Sequence, residues 1–447
     1  MGLATGLAFA AHGLPVVGFD INPEIRSSVS EGVTPYHEAG LEKLLKTQIR
    51  SGRFRVVDSV GSLSQLAEGI FLCVPTPSQH SGRIDLSPMK RSAEEVGASL
   101  KSTTDRRLVV VKSTVVPGTT EGIVAPILYR RSGRSSHEIG VACNPEFLSE
   151  GTMVDDALHP TRIVVGTTDS ASLSWLRRAY RHFRAPVISL TPPAAELVKY
   201  VANAFLALKV SFANEVARIA DQLGVDVDSV MAAVGHDPRI GNQFLLAGPG
   251  FGGSCFEKDL KALLKRAAEL GVRFRTGETA LLANTEQLAY AVDLIRIAAA
   301  PLSGKRVCLL GLSFKAGTDD VRETRALGLA RALVDAGARV RGHDPISIEP
   351  FRRLWLHQYP GESEAIQLFP TVEEALEDAD VAVLQADWPV YRRWSSSWSR
   401  LMRRPLVIDL RRAIDPARTR TLGLTLVGLG AGNIHIQAAQ PDREIRS

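Results

Sequence analysis

Short runs of β-branched residues, each stopping at a polar residue, recur along this chain in two groups separated by a long apolar helical stretch. In the first group Pro15–Asp20 ends in a carboxylate, Gly69–Val74 runs into Pro75-Thr76-Pro77, Arg107–Lys112 into Ser113-Thr114, and Ile139–Cys143 into Asn144-Pro145-Glu146. In the second, Lys305–Gly311, Ala338–Asp344, Val381–Leu384, Pro405–Asp409 and Leu424–Val427 repeat the pattern. Runs without alternation suit strands buried on both faces, and the helical segments between them are the crossovers that parallel strands need. An α/β chain is expected, with two Rossmann-like doubly wound parallel-sheet domains joined by a long central helix. At 447 residues two or three domains are natural, and the pattern divides them as 1–190, 191–300 and 301–447.

Ligands of such sheets bind at the carboxyl ends of the strands. Thr76, Thr114 and Glu146 are site candidates by that position, although helix N-caps use the same residue types. The opening segment reads as a helix of small residues closed by Gly13, followed by the strand that ends at Asp20. That is the second half of a dinucleotide-binding βαβ unit, whose acid accepts hydrogen bonds from ribose hydroxyls. An ordinary αβ unit fits the same residues. No strand precedes Gly2 and only the last glycine of a Gly-x-Gly-x-x-Gly turn is present, so the first strand of the N-terminal sheet is expected to be missing.

From Pro192 to about Val234 the pattern is helical. Glu196, Lys199, Asn203 and Asn214 fall within one narrow stripe at 100° per residue. A polar stripe on an apolar helix either faces solvent or is buried and requires partners or a ligand. A buried lysine beside an amide is a good stabiliser of a developing oxyanion. Further on, Pro249–Lys261 reads Pro-Gly-Phe-Gly-Gly-Ser-Cys-Phe-Glu-Lys-Asp-Leu-Lys. Its glycines permit close backbone approach to a ligand and lead into Cys255 at the head of a helix, with Asp259 one turn on. Cys255 there is either a nucleophile or a small buried side chain. In the last domain Phe314–Arg322 occupies a strand-to-helix turn, where Lys315 and Arg322 either hold a phosphate or are solvated.

Composition excludes several classes. The four cysteines are scattered, without CxxC or Cys/His spacing, which speaks for a reducing cytoplasm and against a metal site. A net charge of +5 is small for this length, and arginines such as Arg130, Arg131 and Arg134 read as a solvated loop, so no nucleic-acid partner is expected. No run reaches membrane-spanning length, and Leu3–Phe19 lacks the basic flank of a signal peptide, so neither a membrane nor secretion is expected.

Taken together these segments resemble the UDP-glucose/GDP-mannose dehydrogenase family. The resemblance rests on Gly2–Asn22, Pro35–Leu41, Val74–Pro77, Lys112–Thr120, Asn144–Gly151, Ala195–Glu215, Arg239–Asn242, the Cys255 loop, Phe314–Glu323 and Asp409–Arg412. The form Gly-Phe-Gly-Gly-Ser-Cys-Phe is similar to the UDP-glucose and GDP-mannose branch. The resemblance implies a four-electron oxidation of UDP-glucose to UDP-glucuronate with NAD, by way of a thiohemiacetal and a thioester on Cys255. Lys199 and Asn203 would stabilise the oxyanion, and Asp259, Glu146 and a water held through Thr114 would move protons. Gly2, Asp20, Arg26, Thr76, Thr114, Glu150, Lys258 and Arg322 would contact the cofactor. Glu146, Phe147, Leu148, Ser149, Lys199, Asn203, Phe244, Gly252, Lys315 and Arg411 would contact the nucleotide-sugar, and Arg239 would reach it from a partner subunit. A homodimer built on the helix around Ala204 is implied as well.

The sequence departs from the family pattern in the absent first strand, in Ile25 where a lysine is frequent (Arg26 its substitute), and in Glu257, which stands where proline is common. Two other functions remain to be weighed. One is GDP-mannose 6-dehydrogenase. The other is a non-catalytic nucleotide-sugar-binding protein, suggested by the missing pyrophosphate turn.

Overall fold

In a computed structural model of the chain, residues 1–79 and 81–432 are described. They form two compact units, one of Met1–Asn203 with Lys258–Arg273, the other of Ala204–Glu257 with the chain from Phe274 onward.

The first unit opens with the helix Gly2–Ala11, whose Ala4, Leu7, Ala8 and Phe9 are buried. Its strands form two sheets. Strand β1 (Val16–Gly18) pairs in parallel with β2 (Phe54–Val56). Strands β3 (Gly69–Leu72), β4 (Arg107–Val111), β5 (Ile139–Cys143), β6 (Ile163–Gly166) and β7 (Val187–Leu190) lie side by side in that order. Among the described residues β1 and β3 each pair on one side only. Strand β4 is buried at every position, which explains its unbroken Leu-Val-Val-Val run. The Phe9 ring packs against Phe71, Tyr180 and Phe183 with centroids 4.9–5.5 Å apart and ties the first helix to this sheet.

One expectation needs correction: this sheet is not wholly parallel. Strands β6 and β7 run together but opposite to β5, joined through the Cys143–Gly166 pair. The connecting helix Met153–Leu158 has six residues, about 9 Å of rise, too little to return along a strand. The chain from Asn144 to Arg162 therefore stays at the carboxyl end of the sheet, and Glu146–Glu150 with it.

The second unit contains β8 (Arg306–Leu310), β9 (Arg339–His343), β10 (Ile366–Leu368), β11 (Val381–Leu384), β12 (Leu406–Asp409) and β13 (Thr425–Gly428). All are parallel, in the order β10-β9-β8-β11-β12-β13. This is the doubly wound order, with its switch point between β8 and β11. Asp344, just past β9, accepts hydrogen bonds from the backbone of Leu312, Ser313, Ile346 and Ser347 and from the Trp388 indole.

The long helix ends sooner than expected, at Leu223, and a second one covers Val227–Gly235. Gly224 at φ +68° stops the first, and the Asp226 carboxylate caps the second by accepting from Ser229 N.

Candidate active site

The polar stripe of the helix Pro192–Leu223 is buried. Glu196, Lys199, Asn203 and Asn214 are 3, 4, 5 and 0% exposed, so each needs a partner. Glu196 accepts hydrogen bonds from Gly118 N (2.6 Å), Thr120 N (2.8 Å) and the Thr120 hydroxyl (2.6 Å). It thereby anchors the loop that carries Thr114. Burial raises its carboxyl pKa and these donors oppose the shift. Lys199 Nζ lies 3.1 Å from Glu146 Oε1, and the other Glu146 oxygen accepts from Leu148 N. Asn203 Nδ2 donates to Asp259 Oδ2 at 2.6 Å, and Lys258 Nζ donates to Asp259 Oδ1 at 2.5 Å. Residues from three distant segments are thus joined in two charge-assisted contacts inside the first unit.

Beneath them lies a layer that the sequence reading did not single out. Lys112, at the end of β4, donates to Asn144 Oδ1 (2.9 Å), which also accepts from the Tyr180 hydroxyl (2.5 Å), while Asn144 Nδ2 donates to Val164 O. Burial pushes the Lys112 ammonium down to about 8, with Glu146 acting in the opposite sense and Lys199 in the same sense. Lys112 sits inside the expected Lys112–Thr120 segment, and its place at the end of a fully buried strand is the signal that marks it. Glu38, likewise unmarked, accepts from Gly151 N and Met153 N and fixes the end of the Glu146–Glu150 loop. A cleft opens beside Glu146, Phe147 and Leu148, with the Arg162 guanidinium 4.1 Å from the Phe147 ring. Thr114 is buried, and Ser149 is exposed.

The cofactor candidates also lie mostly in this unit. Asp20 stands just past β1, half-buried, where it accepts from Asn22 N, and its own carbonyl accepts from Arg26, whose guanidinium lies over Phe19. The helix at Gly2 starts without a side-chain cap or an acidic residue in its first turn, leaving a positive end that suits a phosphate. A Cβ on Gly2 would meet Cys73 at 2.9 Å, so the helix approaches β3 as closely as a glycine permits. These residues fit a dinucleotide. Thr76 and Glu150 are half-buried past β3 and β5. Lys258 is drawn to Asp259, and in the other unit Arg322 forms a bidentate pair with Asp320.

In the second unit Cys255 is exposed and stands one residue ahead of the helix Phe256–Glu269. The expected shared face of Cys255 and Asp259 is qualified by this, since Cys255 is outside the helix and Asp259 is 1% exposed. Arg411 lies at the switch point, donating to Gln385 O (2.6 Å) and Phe314 O (3.3 Å). Gly311, at φ +91°, would drive a Cβ to 2.5 Å from Ala386, so the loops after β8 and β11 close tightly there. Burial lowers the Arg411 pKa. Lys315 is half-buried beside Phe314, Phe244 is exposed at φ +63°, and Gly252 would place a Cβ 2.3 Å from Glu323 O. Arg239 is exposed and paired with Asp237. Among the described residues no cluster of His, Cys, Asp or Glu could hold a metal.

A dinucleotide fold with an acid past β1, a second doubly wound unit and buried Lys–Glu and Asn–Asp pairs define an NAD-dependent oxidoreductase. Matches to known proteins narrow the class. The NAD binding domain of the UDP-glucose/GDP-mannose dehydrogenase family matches residues 1–184, its central domain 193–286 and its UDP binding domain 308–416. The chain belongs to the UDP-glucose/GDP-mannose dehydrogenase family. It is 39% identical over 430 residues to the UDP-glucose 6-dehydrogenase AglM of Haloferax volcanii, covering 95% of this chain and 96% of that one. Identity is 36% over 453 residues to the UDP-glucose 6-dehydrogenase of Pseudomonas aeruginosa, covering 98% of each. The solved UDP-glucose dehydrogenase of Pyrobaculum islandicum superposes with a TM-score of 0.87 at 37% identity, over 96% of this chain and 95% of that one.

Proposed function

We propose that this chain oxidises UDP-glucose to UDP-glucuronate, with Cys255 as the nucleophile. The observation that carries the reading is the burial of Lys199 with Glu146 and of Asn203 with Asp259, in a chain similar over nearly its whole length to UDP-glucose 6-dehydrogenases. NAD⁺, when bound, would supply the hydride acceptor, a fresh NAD⁺ for each of the two oxidations. In the first oxidation the C6 alcohol loses a hydride and its hydroxyl proton and becomes an aldehyde. The Cys255 sulfur then bonds to C6, and the thiol proton ends on the former carbonyl oxygen. Loss of the C6 hydride and that proton gives the thioester. Water adds to its carbonyl carbon, the C–S bond breaks, and Cys255 is regenerated as the uronate leaves.

The residue types fit these steps. Lys199 and Asn203 are N–H donors, the groups that stabilise a developing oxyanion, and each is already oriented by a carboxylate, Glu146 for the one and Asp259 for the other. Glu146, Asp259 and a water on Thr114 take the released protons. Lys315 and Arg411 suit the diphosphate, and Asp20 suits the NAD ribose. The division at 1–190, 191–300 and 301–447 assigns NAD, the cysteine loop and the UDP moiety to successive parts. Arg239, exposed beside Asp237, is assigned to a partner's site in a homodimer. A cytoplasmic location fits the reducing environment that a thiol nucleophile needs, and no helix among the described residues is long and apolar enough to cross a membrane.

NADH formation from UDP-glucose, GDP-mannose and UDP-N-acetylmannosamine tests the reading. UDP-glucose is expected to give the highest kcat/KM with two NADH per uronate, and Cys255→Ala to abolish steady-state turnover. Sustained turnover by that variant would sink the mechanism, and preference for GDP-mannose would move the substrate.

A further inference from the structure

One guanidinium in the second unit touches the cysteine loop on both sides of Cys255. Arg325, in the first turn of the helix Arg325–Asp335, donates to the Phe251 carbonyl through Nε at 2.8 Å and a terminal nitrogen at 2.5 Å. Its terminal nitrogen also lies 3.9 Å from Glu257 Oε2, with the Arg325 side chain 12% exposed. Phe251 is four residues before the cysteine and Glu257 two after it. The contact reaches the thiol's neighbours through rings, because Phe251 packs edge-on against Phe256 with centroids 5.7 Å apart.

The preceding segment is held just as firmly. Asn214 Oδ1 accepts from Gly248 N, Gln287 Nε2 donates to Gly248 O, and Asn284 pairs with both the N–H and the carbonyl of Phe251. Gly253 N donates to Arg322 O. Gly250, at φ +109°, would bring a Cβ within 2.7 Å of Asn284 Oδ1 and 3.4 Å of Arg325 Nε, so the side chains close on bare backbone. Arg325 is the charged member of this set, and it faces Glu257, the residue that stands where the family commonly has proline. A proline would fix that turn covalently. An ion pair reached across from another helix fixes it from outside.

We propose that Arg325 is a positioning residue for Cys255, holding the loop on either side of the thiol through the Phe251 carbonyl and Glu257. The inference rests on the reading of Cys255 as the nucleophile, and it is tested by a readout that does not require turnover. Iodoacetamide alkylation of Cys255, followed by peptide mass spectrometry, is measured beside steady-state kinetics with UDP-glucose. Misplacement of a reacting group by about an ångström costs roughly 100-fold. Arg325→Met is expected to lower kcat about 10- to 100-fold with both KM values within about twofold, and to change the alkylation rate of Cys255 at least about threefold. Arg325→Lys, keeping the charge and a single donor, is expected to recover part of kcat, and Glu257→Gln to lose less than Arg325→Met.

Unchanged alkylation and kcat in Arg325→Met would overturn the proposal. So would a raised KM for UDP-glucose at constant kcat, which would make Arg325 a substrate ligand. If Arg325→Met does not fold, Arg325→Lys and Glu257→Gln carry the same comparison, and wild-type rates in both would be equally fatal. A wild-type chain without UDP-glucose turnover would refute the proposed function alone, because the alkylation ratio would still be read.

Discussion

At the residue scale the feature with the widest reach is Lys112. It is held by Asn144 in the layer beneath Glu146 and Lys199, and burial depresses its pKa to about 8. The folded protein binds this proton less tightly than the unfolded chain, so the stability cost of Lys112 is full below pH 8. It fades as pH rises toward the ordinary lysine value of 10.5. Across that interval the wild type is expected to gain up to about 3 kcal/mol relative to Lys112→Met, since each pKa unit is worth about 1.4 kcal/mol. Urea midpoints of both proteins from pH 7 to 10 check this, and a constant difference would contradict it. The sequence made part of this neighbourhood legible. Glu146, Lys199 and Asn203 could be marked because a strand end and a helical stripe each have a fixed geometry. Asn144, Tyr180 and the Glu196–Thr120 bonds could not, because they join segments whose approach depends on tertiary packing.

At the scale of elements the helix Pro192–Leu223 divides cleanly between its two sides. Its polar stripe is buried, while Leu197, Val201, Phe205, Phe212, Ile219 and Leu223 are 40–69% exposed at spacings of four and seven. A stripe of this length is what a helix presents to a second copy, and it carries the proposed homodimer. Phe205→Asp or Phe212→Asp is expected to shift the protein toward monomer in light scattering, because loss of a central aromatic anchor costs about 2 kcal/mol, roughly 30-fold in Kd. Light scattering that gives the wild-type mass for both variants would remove this face from the interface. The helix itself is readable from its period, but its end is not, because the apolar pattern continues eleven residues past Leu223 to Val234 while Gly224 and the Asp226 cap interrupt the backbone. Strands β2, β6, β7 and β10, of three or four residues each, are not among the runs that the sequence marks.

At the scale of the whole molecule the two units each have their own hydrophobic cores. Calorimetry is accordingly expected to resolve two transitions, one raised selectively by NAD⁺ and the other by UDP. Ligand at about 100 times its Kd adds roughly 2.7 kcal/mol to the state it binds. A single transition raised equally by both would show one cooperative unit instead.

Both units contain a strand that ends in an aspartate, and by position alone Asp20 and Asp344 are equivalent signals. Asp344, however, spends its oxygens on Leu312, Ser313, Ile346, Ser347 and Trp388. It works as a fastener for its own loops, with no lone pair directed outward to grip a ribose. Two copies of one nucleotide fold can therefore divide their labour without losing the shared acid: one copy leaves it half-buried at the strand's end with a single backbone donor, and the other folds it inward as part of the frame.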